Sequence, residues 1–426
     1  MSSPRFVCVM ASMAALALLV LPGCSREGEL PPAGYDTVRS TLEREGAEVE
    51  PGQLATLVAG NTEFALALHR VLGAQPGNLA FSPHGISSAL AMVHAGARGE
   101  TERQLTETLR FRLPPPTLHE AFNTLDRSLT APTSATDAAF TLNIVNALWK
   151  SVQHPLKQAY LDVIGRHYGA AVRRLDFARD PEGARRTINA WVADATAGRI
   201  EDLLPAGSLT ALTRLVLTNA VYFNADWVTP FEPARTTPAS FRRLDGSERQ
   251  VPTMQQEARL AYARVAGTTA VQLPYAGDRA ALLLLMPDTD FPGFEARLEA
   301  GDITAFVDAL EPTRIALALP RFEHRYRASL VAAFEAMGVN ALFDPNRADL
   351  SGIDGGRDLH VSEVAHEVFI RVDEAGTEAA AATGVVIGVT AMPAPAQPVR
   401  FDRPFLYLVR DLDTGAVLFM GRVVDP

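Results

Sequence analysis

The chain has 426 residues, 47% of them apolar and 21% charged, with 30 Gly and 29 Pro, the make-up of a globular protein with a large core. Lys and Arg total 39 against 49 Asp and Glu, and a net charge of −10 without basic clusters argues against a nucleic-acid partner. Length alone suggests two or three domains, but no linker or composition shift follows the N-terminal region, so one large domain is expected.

The first residues read as a secretory signal of residues 1–23. Arg5 is the sole charged side chain before Cys24, and "FVCVMASMAALALLVLPGC" is an apolar run ending in small residues. It resembles the bacterial lipoprotein signal, in which the Cys of a Leu-x-Gly-Cys box is acylated and becomes the new N-terminus. Pro22 departs from the small residue usual there, which leaves an ordinary cleaved signal as the alternative. The run is barely long enough to span a bilayer and stops at Pro-Gly-Cys, so a transmembrane anchor fits less well. Cys8 lies inside the signal and Cys24 ends it, so the mature chain has no disulfide and must be stable through its core. Residues 24–52 are polar and rich in Pro and Gly; they read as a tether with a short helical stretch around Val38–Glu45.

The domain is expected over residues 53–426. Phe64, Leu68, Val71 and Leu72 recur at helical spacing, with Asn61 or Thr62 available as a cap. "SPHGISSALAMVHAG" and "GETERQLTETLRF" continue the helical pattern to about residue 135. From there strand-like runs ("FTLNIVNALWK", "LVLTNAVYFNADW", "AVQLPYA", "ALLLLMP", "RIALALPRFEHRYR") alternate with helical ones ("DPEGARRTINAWVADATAG", "FPGFEARLEA", "SLVAAFEAMGV"). "PFLYLVRD" and "AVLFMGRVV" flank a turn at Asp413-Thr414-Gly415, a hairpin signature. The order points to a mixed α+β protein built on large sheets.

Familiar catalytic motifs are missing. The sequence contains no Gly-x-Ser-x-Gly elbow, no phosphate-binding Gly-rich loop and no Cys-x-x-Cys pair. His366-Glu367 lacks the second His of a zinc-protease motif, and "DLSGIDGGRDL" lacks calcium-loop spacing. His84, His94, His119, His154 and His167 are scattered and read as surface or satisfied core residues. An enzyme is the second-choice class, with no cofactor or metal implied.

The segment "VDEAGTEAAAATGVVI" is anomalous. It has the helix propensity of an Ala-rich run, yet it follows the strand-like "HEVFIRVDE" and exits through Gly384 into β-branched residues. An Ala-rich helix or linker is the plain reading.

Nine stretches, in order, together resemble the serpin family: "NTEFALALHRVL", "NLAFSPHGISSALAMVHAGARGET", "LTNAVYFNADWVTPF", "LPYAGDRAALLLLMPD", "LPRFEHRYR", "FDPNRADLSGI", "VSEVAHEVFIRVDEAGTEAAAATGVVI", "FDRPFLYLVRD" and "VLFMGRVVDP". The resemblance implies three β-sheets, about nine helices and an exposed reactive loop at about 374–398. In inhibitory members a protease attacks that loop, forms an acyl complex, and is trapped as the loop inserts into the largest sheet. Such insertion is β-strand addition driven by the release of stored strain.

By the same resemblance, Glu374, Gly376, Thr377 and the run Ala379, Ala380, Ala381 and Ala382 form the hinge. Ala375 departs slightly, since a polar residue is common there. The parity is physically apt: Thr377, Ala379, Ala381 and Thr383 are small and uncharged, as side chains entering a packed interior must be. Gly376 is expected to supply φ freedom to a turn at the base. By the family's usual spacing from that glycine, the resemblance implies a scissile bond at Thr390-Ala391, with Val389-Thr390 and Ala391-Met392 as near alternatives. Met392-Pro393 is disfavoured by the proline. Gly388, Val389, Thr390 and Ala391 suit an elastase-like or subtilisin-like pocket, and no Arg or Lys lies between Arg371 and Arg400 to serve a trypsin-like enzyme.

Ser82, Asn219 and His366 match the polar cluster beneath the centre of the large sheet. Gly85 replaces a usual Ser, which would leave that cluster one partner short. Trp227 matches the tryptophan near the top, where insertion starts; plain packing is the alternative for each. The expected protein is therefore a monomeric inhibitor of elastase-, subtilisin- or chymotrypsin-like serine proteases. It would be exported and held by a lipidated Cys24 at the outer membrane, periplasm or cell surface, or otherwise secreted. A non-inhibitory member acting as substrate or binding protein is the runner-up.

Overall fold

The computed structural model describes residues 34–46, 48–130, 140–377 and 395–426. Among these it forms ten α-helices and sixteen strands. The first third comprises β1 (Asp36–Val38), α1 (Pro51–Leu72), β2 (Leu79–Phe81), α2 (Pro83–Gly96), α3 (Gly99–Thr108) and α4 (Pro115–Thr130). The middle holds β3 (Phe140–Ser151), α5 (Gln158–Tyr168), β4 (Val172–Leu175), α6 (Pro181–Ala195), β5 (Leu215–Asp226), β6 (Thr237–Arg242), β7 (Glu248–Val265), β8 (Thr268–Pro274) and β9 (Ala280–Pro287). Then follow α7 (Phe291–Arg297), α8 (Ala300–Asp308), β10 (Glu311–Pro320), β11 (Phe322–Ser329), α9 (Val331–Ala336), α10 (Ser351–Asp354), β12 (Val361–Val372), β13 (Gly376–Thr377), β14 (Gln397–Arg400), β15 (Phe405–Asp411) and β16 (Val417–Val423).

The first sheet runs β1-β4-β3-β5-β13-β12-β11, and the second β14-β10-β7-β8-β9-β15-β16-β2 with β6 on β7. The expected third sheet is continuous with the second. One long strand, β7, pairs with β6 through its first part, with β10 from Thr253 to Tyr262 and with β8 through its last residues. The run "RIALALPRFEHRYR" divides between the two sheets just after Pro320, with Arg321 N–H making a last bond to Pro252 O of β7 before β11 crosses to the first sheet.

Alternation along β5 shows how the layers pack. Leu217, Val221 and Phe223 face the main core, shared with β9, β15, α1 and α2, whereas Val216 and Ala220 face a second cluster. That second cluster holds Ile188 and Val192 of α6, Trp149 of β3 and Ala365 of β12. Helix α6 therefore packs on the face of the first sheet that looks away from the main core, with Trp191 against Trp149 of β3 and Arg173 of β4.

Two boundary expectations change. Helix α1 begins at Pro51, ten residues before Asn61, with a capping box between Glu50 and Gln53. No helix forms at Val38–Glu45. Instead, the described part of the segment read as a tether is seated on the domain. β1 pairs with β4, Tyr35 meets Trp149 edge-on, Ser40 Oγ donates to Asp162, and Arg44 donates to Asn123 Oδ1 and Asp126. Polar composition masked this because the segment binds through hydrogen bonds and ion pairs instead of apolar periodicity.

Candidate functional site

β5 and β12 are parallel neighbours from Leu215 and Val361 up to Tyr222 and Phe369. Above that point they part, and the two-residue strand β13 sits between them, pairing Thr377 with Val372 and Ala225, and Gly376 with Asp226. This mouth is where a strand can enter without first breaking a ladder.

Thr377 is fully buried there, and its hydroxyl shares a 2.7 Å hydrogen bond with Tyr275. Tyr275 in turn stacks on Trp227, ring centroids 4.5 Å apart, and burial pushes its phenol well above the usual range. Trp227 Nε1 donates to Asp373 O and its backbone N–H to Ala375 O. The indole thus grips the chain just before the hinge, a specific contact beyond packing. Glu374 accepts from the Thr236 hydroxyl at 2.6 Å and lies 3.5 Å from Arg321, while its carbonyl accepts from Phe231 N–H. Burial and the neighbouring Asp373 carboxylate raise the Asp226 pKa.

Gly376 corrects an expectation. It lies in a strand and is not among the residues with positive φ. Glycine is required by proximity: a Cβ there would sit 2.1 Å from Ala225 O.

Lower in the seam, Ser82, Asn219 and His366 do come together. Ser82 N–H donates to His366 Nε2 at 3.4 Å, which fixes the proton on Nδ1, and that proton is donated to Asn219 Oδ1 at 2.7 Å. Asn219 Nδ2 donates to Asn146 Oδ1, and Asn146 Nδ2 to Gly85 O. Ser82 Oγ accepts from Gly85 N–H, capping α2, and donates to Leu418 O on β16. The cluster is therefore not short of a partner. Asn146 supplies it, and a Cβ at position 85 would stand 2.7 Å from Asn219 Nδ2. The chain of donors works with a neutral imidazole, and burial pushes His366 down to about 3.

Sequence reading missed Asn146, Tyr275, Thr236 and Arg321. The first two had a signal: an asparagine at an inward strand position, and the tyrosine inside the quoted "LPYAGD". Among the scattered histidines, His94 and His119 are buried with one ring nitrogen bonded, while His84 is buried against Phe122 with neither nitrogen bonded among the described residues. Ala379, Ala380, Ala381, Ala382, Thr390, Ala391 and Cys24 lie outside the described residues.

Comparison with known proteins bears on this arrangement. The family model "Serpin (serine protease inhibitor)" matches residues 59–426. The chain is 34% identical to human leukocyte elastase inhibitor over 382 residues, 87% of this chain and 99% of that protein. It is also 34% identical to an uncharacterized serpin-like protein of Thermococcus kodakarensis, covering 93% and 89% of the two. In structure it is similar to the thermophilic serpin tengpin in the native state, with a TM-score of 0.81, 26% identity, and 91% and 98% of the chains covered.

Proposed function

The chain belongs to the serpin family, and on that premise we propose that it inhibits an elastase-, subtilisin- or chymotrypsin-like serine protease as a suicide substrate. The target attacks the Thr390-Ala391 bond, and the acyl complex is trapped when the upstream half of the loop enters the seam between β5 and β12. The single observation that carries this reading is the hinge. Gly376 and Thr377 already occupy the mouth of the seam as β13. The residues that follow, Glu378 to Ala382, place only small side chains on the parity that continues from Thr377. A strand of about ten residues gaining about 1 kcal/mol net per hydrogen bond would release on the order of 10 kcal/mol, comparable to a domain's whole stability.

We also propose that the protein is a lipoprotein, exported and anchored through Cys24. The support is the Leu-Pro-Gly-Cys sequence after an apolar run, and the absence of any other cysteine after the signal.

Mixing the protein with pancreatic elastase, subtilisin and chymotrypsin tests the inhibitory reading. A complex that survives SDS with at least one of them is expected. Cleavage of the loop by all three without such a complex would instead place the protein among substrate-like members of the family.

A further inference from the structure

Away from the seam, a cavity of about 400 Å³ opens where the end of α1, the turn at residues 73–76, α7 and β16 meet. Its size is that of a small-ligand pocket. Arg422 of β16 lines it, only 5% exposed, and donates to Gly77 O, Gln75 O and Glu295 Oε2. The other Glu295 oxygen is held by His69 Nε2 at 2.8 Å. Arg70 lines it too, donating to Ala296 O and Leu298 O.

A guanidinium has five N–H donors. Among the described residues Arg422 engages through three bonds and Arg70 through two, whereas both oxygens of Glu295 are occupied. Beside the Gln75 amide and His69 Nδ1, unpartnered among the described residues, the charged groups of the cavity are weighted toward donors, with two guanidiniums against one carboxylate. The remaining wall is apolar: Ala74, Pro76, Leu244, Pro292 and Ala296, with Leu244 left 46% exposed. An inorganic anion would satisfy the donors and leave that wall wet. A neutral apolar molecule would cover the wall and leave the donors unmatched. Only a molecule with both parts answers both halves.

We propose that this cavity binds a small apolar carboxylic acid, its carboxylate on the free N–H groups of Arg70 and Arg422 and its body against Ala74, Leu244 and Ala296. Nothing in this proposal depends on the loop or on a protease.

Calorimetric titration of the intact domain with naphthoate and with naphthamide tests it. Naphthoate is expected to bind at least tenfold more tightly than the isosteric amide, and Arg70→Gln to shrink that preference. Filling the exposed small positions, separately in Ala74→Trp and Ala296→Trp, is expected to abolish naphthoate binding without changing the thermal midpoint or the reaction with proteases. Equal affinity for acid and amide, no saturable binding of either, or undiminished binding in both filled variants would overturn the assignment.

Discussion

Thr377 meets two demands at once. It must be small and uncharged to lie buried in the seam, and its hydroxyl must satisfy the buried Tyr275 phenol. Thr377→Arg would force an unpaired charge into that place at a cost of several kcal/mol. The expected outcome is conversion from inhibitor to substrate, read as loss of SDS-stable complex while loop cleavage continues; undiminished complex formation would exclude insertion as the trapping step. His366 ties stability to pH. Its ring stays neutral in the folded chain down to about pH 3, whereas an exposed imidazole titrates at 6.5. Below pH 6.5 the unfolded chain gains a proton that the folded chain refuses. This contribution is therefore complete above pH 6.5 and lost progressively as pH falls toward 3, by a few kcal/mol in all. Burial acts in the same direction on His84, His94, His119 and His324. His366→Gln should flatten the fall in urea midpoint between pH 7 and 4 relative to the parent, and an identical slope would discard this account.

At the scale of elements, the seam is closed below and wedged open above by β13. A strand added along the whole seam would have to part the β5–β12 ladder from Tyr222 and Phe369 downward. Nicking the loop with a protease that is not trapped is expected to raise the thermal midpoint by about 10 °C or more, since roughly ten residues gain ladder partners. An unchanged midpoint would mean that the loop stays outside. Element identity was largely legible where periodicity was strong: the strands β9, β15 and β16 and the helices α2 and α6 lie where the sequence places them. Legibility failed where a partner decides. β1 is a strand because β4 offers an edge, and Asn146 matters because Asn219 stands opposite it in register. Gly376 was recognised but for the wrong reason, since close approach of Ala225 O is invisible in one dimension.

At the scale of the molecule, the proposed anchor is tested by Cys24→Ala in a host that processes lipoproteins. The variant should leave the membrane fraction, and continued sedimentation with membranes would remove Cys24 from the account. The position of β1 gives that anchor a geometric meaning. Asp36 lies in one row of paired residues with Arg174, Lys150 and Leu215, ten residues along β5 from the row of Ala225 and Thr377. That row therefore lies about 33 Å along the strands from the row of the hinge, toward the other end of the sheet. On the proposed mechanism a protease carried by the inserting loop would be drawn along the seam toward the end of the sheet where β1 pairs with β4. Protease and N-terminal strand would then share that end, so a bulky target would crowd β1 where a compact one would not.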